Sequence, residues 1–197
     1  MSTNATKVNN MICIGSPLPA DFIKAIMQVP HLDFADIKWV EEANVFVSFQ
    51  NFFKIKPETN LQTLKDQIRL NIYYKYFPIT IQSKGLTLLP STFKPRTLEW
   101  ELEMVCLKDT KNDVTTYKER MTNDMKDILK TAFYGVQTAE CNPSIILART
   151  PESVHKFDLN PLREFKMPRE RFYLEKLFIA TVSKDETGLK YKFDYVE

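Results

Sequence analysis

Histidine is scarce in this chain, and the scarcity excludes more chemistry than any other feature. Only His31 and His155 occur in 197 residues. Neither has a second histidine or a cysteine at metal-ligating spacing, so no zinc or other metal site is expected. Glycine is nearly as rare, with four residues. That is too few for a glycine-rich phosphate loop, and no Gly-x-Ser-x-Gly turn is present. The three cysteines, Cys13, Cys106 and Cys141, lie far apart beside apolar residues and form no Cys-x-x-Cys. They read as buried, reduced thiols rather than a disulfide framework. No apolar run approaches the roughly 20 residues needed to span a bilayer. The opening MSTNATKVNN carries one charge, Lys7, and lacks the basic-then-apolar layout of a signal peptide. These absences point to a cytoplasmic or nuclear protein with no membrane partner and no cofactor. Charge of one sign is missing too. With 27 basic and 25 acidic side chains the formal net charge is +2, which does not announce a nucleic-acid partner.

What the chain has is apolar and aromatic material. At 44% hydrophobic and 12% aromatic residues it can bury a sizeable core and is no candidate for disorder. A loose tail over residues 1–10 precedes MICIG (11–15), which reads as a short buried strand. Asp21 is placed to cap a helix with the stripe Phe22, Ile23, Ile26 and Met27, ended by Pro30. IKWV (37–40) is a short strand. NVFVSFQNF (44–52) alternates cleanly, with Val45, Val47 and Phe49 on one face and Phe46, Ser48 and Gln50 on the other. The first face is an ordinary core face. The second, a large ring, a hydroxyl and an amide in a row, is not.

Residues 56–77 predict a second helix with Pro57 in its first turn and Leu61, Leu64, Ile68 and Ile72 at helical spacing. ITIQ (79–82), LTLL (86–89) and LEWELEMV (98–105) predict strands. In the last, Leu98, Trp100, Leu102 and Met104 face one way and Glu99, Glu101 and Glu103 the other. The three carboxylates read as a solvated strand face, not as an acid–base pair. Residues 115–135 predict a third helix with the stripe Tyr117, Met121, Met125, Ile128, Leu129 and Phe133, stopped by Gly135. NPSIILAR (142–149) is a strand. A connector carrying Arg163, Lys166, Arg169 and Arg171 leads to LEKLFIATV (174–182) and LKYKFDYV (189–196), a closing strand pair turned by Lys184, Asp185, Glu186 and Gly188. Interspersed helices and hairpin-like strands, with no long linker, predict an α+β fold.

The order of these segments resembles one family. MICIGSPLPADF is similar to the opening strand and loop of LigT-like proteins, the two-histidine (2H) phosphoesterases. Their next signature reads Trp-Val, a few polar residues, then Asn-Leu-His-x-Thr-Leu, matched here by KWVEEANVFVSF (38–49). GLTLLPSTFKPRTLEW (85–100) resembles a Gly-x-x-x-x-Pro stretch followed by Pro-Arg and a Trp-bearing strand. The second signature, Pro-His-x-Thr-Leu-Ala-Arg, is matched by PSIILAR (143–149). The resemblance runs from about residue 11 to 196.

It implies two lobes with antiparallel sheets facing a central groove, helices outside, over one bilobal domain spanning 11–197. It also implies where catalysis would sit. Residues i and i+2 of a strand point the same way, so an imidazole and a hydroxyl on each His-x-Thr strand grip one phosphate, one histidine as base and the other as acid. Here Phe46 and Ser48 stand in the first pair of seats, and Ser144 and Ile146 in the second. Phenylalanine carries no proton, and serine titrates far outside the working range. The expectation is a catalytically inactive 2H-like protein, an interaction or scaffold module with a protein partner. Its groove candidates are Phe46, Ser48, Gln50, Ser144, Ile146 and Arg149. In the plainest reading Phe46 and Ile146 simply fill the groove. An RNA or nucleotide module is the alternative, with Phe46 stacking a base and Arg149 and Ser48 on phosphate. A residual 2′,3′-cyclic phosphodiesterase would need His31 and His155 to take over.

Overall fold

The computed structural model describes residues 11–29, 37–90, 95–105, 113–132, 141–150, 159–162, 164–185 and 188–197. Residues 1–10, Pro30, His31, residues 106–112 with Cys106, Phe133, Gly135, His155, Arg163 and Glu186 lie outside the described residues. Alternating sequences supply the strands β1 (Met11–Pro17), β2 (Lys38–Trp39), β3 (Phe46–Lys54), β4 (Ile79–Leu89), β5 (Thr97–Val105), β6 (Ser144–Arg149), β7 (Arg171–Leu174), β8 (Phe178–Asp185) and β9 (Gly188–Tyr195). Their order is β7-β4-β5-β6-β3-β1-β8-β9, with β2 pairing β6. Every ladder is antiparallel. The two halves, β7-β4-β5-β6 and β3-β1-β8-β9, join at a single β3–β6 pairing, Ser48 opposite Ser144. The expected α+β architecture is therefore present, but the two expected sheets are halves of one continuous nine-stranded sheet, joined at the residues that the sequence singles out.

The core follows the predicted stripes. Val45, Val47 and Phe49 of the 44–52 stretch are buried, as are Leu98, Trp100, Leu102 and Met104 of β5. Helix α1 (Ala20–Ile26) buries Phe22 and Ile26, and Phe22 packs on Phe172 of β7 with ring centroids 4.2 Å apart. Asp21 does not cap it. The N-cap position is Pro19, and Asp21 sits within the first turn, paired with Arg169 at 2.9 Å. Helix α2 (Leu61–Ile68) starts later than Pro57 implied, because the Asn60 side chain accepts from the Gln62 and Thr63 amides and fixes the cap. It continues through a π-helical turn (Arg69–Tyr73) into α3 (Tyr74–Tyr76). Leu61, at the cap, is consequently exposed, while Leu64, Ile68 and Ile72 are buried. Helix α4 (Asp113–Ala132) buries Met121, Met125 and Ile128.

Two strand boundaries differ from expectation. ITIQ and LTLL are one strand, β4, interrupted by a bulge at Ser83/Gly85, where Gly85 has φ 150°. Arg171 is not in the connector but opens β7, which pairs with β4 as the sheet's edge. The closing segment then restarts as β8 at Phe178.

Candidate functional site

Because Ser48 lies opposite Ser144 in an antiparallel register, Phe46 and Ile146 are brought side by side two positions along. The four seats thus share one face, across the joint between the halves. Phe46, Ser48, Ile146 and Arg149 line one crevice with Val40, Asn44 and Tyr191. Its free volume is about 10 Å³, no more than a single water requires. The groove at this point is shut.

Phe46 shuts it. Its ring is 8% exposed and belongs to a small second core with Cys13, Phe178 and Ala180, packed over by Tyr191 and Phe193. The ring meets Phe178, Tyr191 and Phe193 edge to face at centroid distances of 5.3, 5.6 and 5.7 Å. Gly15 makes this approach feasible. A Cβ there would come within 2.9 Å of the Phe46 ring, 3.0 Å of Phe178 and 2.6 Å of the Val47 carbonyl oxygen. Phe46 is therefore a core side chain rather than an exposed stacking platform.

The second strand is tied to an acid. Ser144 Oγ donates to Glu99 Oε2 at 2.5 Å, and Thr97 Oγ1 donates to Glu99 Oε1 at 2.7 Å. Glu99 is 3% exposed, so its expected place on a solvated face is corrected. Ile146 lies beside it in the β5–β6 register, and a bulge at Leu98/Glu99 turns the side chain under the joint. Glu101 and Glu103 do face solvent, and Glu103 pairs with Lys84 at 2.5 Å. Ser48 Oγ is turned to the Gln50 carbonyl at 3.2 Å. Gln50 is buried, with Nε2 donating to Cys141 Sγ at 3.6 Å, and does not line the crevice.

Among the described residues Arg149 is the one cation lining the crevice, and its guanidinium hydrogen-bonds the Tyr191 hydroxyl. Burial pushes the Tyr191 hydroxyl above its ordinary range, opposed by Arg149. Burial likewise lifts the Cys13 thiol from its ordinary 9.0 to about 12, against the pull of a backbone hydrogen bond at Ala180 and of Arg149. Both groups stay protonated and neutral near pH 7. None of the four seats holds a proton-shuttling side chain, and His31 and His155 lie outside the described residues. Among the described residues no cluster of three His, Cys, Asp or Glu side chains converges on a common point.

Sequence reasoning missed Glu99, Phe178, Tyr191 and Phe193 as site residues. One signal was legible: in the closing segment, Tyr191, Phe193 and Tyr195 recur at every second position and so form one aromatic face.

No family model and no curated protein matches this chain in sequence. Compared by structure, it is similar to TT0787 of Thermus thermophilus, with a TM-score of 0.61 and 15% identity over 94% of this chain and 96% of that one. A crystallised phosphoesterase gives 0.58 and 11%, over 95% and 98%. Escherichia coli LigT complexed with 3′-AMP gives 0.57 and 12%, over 94% and 95%. The chain has the LigT-like, 2H phosphoesterase fold. At these identities the likeness is one of fold, end to end.

Proposed function

We propose that this chain is a non-catalytic protein of the 2H phosphoesterase fold, an interaction or scaffold module that acts by binding a protein partner. The observation that carries the reading is Phe46. Its ring is locked among Phe178, Tyr191 and Phe193 beside a crevice of about 10 Å³, and in this reading it takes the first proton-shuttle seat, where a phosphodiester would have to enter. Losing one general acid–base residue costs roughly 10²–10⁴ in rate, and losing both along with the space leaves no such mechanism. The buried Glu99 carboxylate adds to this, because a fixed anion under the joint repels phosphate.

Residues 11–197 act as one bilobal unit in this reading, inside the cell. No described helix is long and apolar enough to cross a membrane. The nucleotide alternative draws on Arg149 and on the 3′-AMP complex of LigT and the uridine monophosphate complex of Kluyveromyces marxianus Usb1, the latter at a TM-score of 0.50 and 10% identity. The closed crevice and Glu99 weigh against it. The deciding experiment is incubation with a 2′,3′-cyclic nucleotide. No ring opening above the buffer rate is expected. Turnover that disappears in a His31→Ala/His155→Ala double variant overturns the proposal. Single-stranded RNA titrated at two salt concentrations tests the alternative, which requires salt-dependent affinity.

A further inference from the structure

The face that closes the crevice opens a different cavity on its far side. Next to the joint, a pocket of about 500 Å³ is walled by Phe46, Phe178, Phe193 and Tyr195, with Leu18 and Val45 among the aliphatic residues completing it. That volume lies in the range of small-molecule sites. Its rings stand steeply to one another. Phe46–Phe193, Phe178–Phe193 and Phe178–Tyr195 are inclined at 79°, 64° and 81°. Such rings make a corner rather than a slab.

One charged side chain lines this pocket, Glu42, on the short 3-10 turn before β3. Glu41 precedes it, also exposed. Among the described residues no cation pairs with Glu42, and none lines the cavity. At its edge Lys176 Nζ sits 5.8 Å from the Tyr195 ring centroid, and Glu197 at 3.8 Å offsets its charge. Aromatic quadrupoles attract cations, most strongly where water is displaced, and a nearby carboxylate adds to the pull. An anion would meet repulsion from both.

We propose that this pocket is a binding site for a small molecule bearing a quaternary ammonium group, held against the Phe193 and Tyr195 rings with its charge toward Glu42. The site goes beyond the scaffold reading and does not depend on it, since turnover at the joint would leave the pocket's chemistry unchanged. It also explains an economy in the fold. The ring that occupies a proton-shuttle seat serves as a shared wall, closing one cavity and flooring the next.

The test compares choline with 3,3-dimethylbutan-1-ol, which has the same shape without the charge. Both are titrated into the full chain by NMR, following amide shifts and saturation transfer to the probe methyls. Choline is expected to bind with a Kd on the order of 1 mM or tighter, about five- to thirty-fold more tightly than the neutral probe. The shifts should centre on Glu42, Phe193 and Tyr195. Glu42→Gln should weaken choline roughly three-fold and flatten its salt dependence, leaving the alcohol unchanged. Tyr195→Leu keeps apolar bulk but loses the ring face. Because Tyr195 is 41% exposed, the variant should melt with the wild type while binding choline several-fold more weakly. Equal affinity for the two probes, no saturation at about 10 mM choline, or choline binding unchanged in Tyr195→Leu overturns the proposal.

Discussion

Truncating Phe46 separates a core ring from a groove-lining one. The ring is 8% exposed and makes three edge-to-face contacts within 5.3–5.7 Å. Removing a buried phenylalanine costs the transfer of its ring plus the cavity left behind, about 3–5 kcal/mol. The rigid surround favours the upper half of that range. Phe178 is fully buried, Gly15 leaves no side chain to slump inward, and the lost ring pairs are each worth about 0.5–1.5 kcal/mol beyond area. Phe46→Ala should therefore lose about 4 kcal/mol, against the 5–15 kcal/mol typical of a whole domain. At roughly 2–4 °C per kcal/mol for a chain of this size, the melting midpoint falls by about 8–16 °C. Urea unfolding with an unchanged m-value gives the free energy directly. Phe46→Leu, which keeps most of the volume, should lose only about 1–1.5 kcal/mol. A loss under about 1 kcal/mol for Phe46→Ala would mean that the ring stands in an open groove, and the closed-site reading would fail with it.

Ser144→Ala removes one of two hydroxyl donors from the buried Glu99 carboxylate and should cost about 1.5–3 kcal/mol in urea unfolding. Replacing Glu99 by Leu in that background should recover part of the loss, because an apolar pair leaves no unmet charge, and no recovery would show that Glu99 is well solvated. Alkaline pH supplies a third prediction. Burial lifts Cys13 from 9.0 to about 12 and lifts Cys141 as well. Above about pH 9 the unfolded chain releases protons that the folded chain retains, so the stabilisation is complete below that pH and declines as pH rises toward 12. Urea midpoints at about pH 8 and 10.5 should show a smaller alkaline drop in Cys13→Ala than in wild type; equal drops would place the thiol in contact with water.

The strand periodicities were legible because alternation is local. Val45, Val47 and Phe49 face the core as their spacing implies, and the same holds for Leu98 to Met104. The pairing of the two singled-out stretches was legible too, since Ser48 does lie opposite Ser144. Its consequences were not. Whether Phe46 faces water depends on Phe178, Tyr191 and Phe193, more than 130 positions away, and no local pattern states that β8 pairs with β1 and β9 with β8. Glu99 shares its alternation with Glu101 and Glu103, yet it alone is buried. A bulge at Leu98/Glu99 and the apposition of Ser144 decide that. Helix α2 starts at Asn60 because a side-chain cap outweighs a proline's tolerance for the first turn.

In the proposed reading the aromatic fill and the absence of histidine at positions 46 and 144 act together, and installing the motif tests this. Phe46→His with Ser144→His and Ile146→Thr would return both imidazoles and, beside Ser48, a second hydroxyl. The electrostatics would even suit the work. Arg149 at the crevice lowers the pKa of a histidine at 46 and favours the base, while Glu99 beside position 144 raises the other and favours the acid. Space does not suit it. Phe178, Tyr191 and Phe193 stay in place, so an imidazole at 46 sits inside an aromatic packing and a phosphodiester finds little more room than the present 10 Å³. The triple variant should therefore show no cyclic-nucleotide turnover under conditions where circular dichroism shows it folded. Adding Phe193→Ala and Tyr191→Ala, which open the crevice from the β9 side, is the change that should first bring measurable ring opening. Turnover in the triple variant alone would mean that the rings yield to substrate, and that the missing side chains rather than closure set the limit.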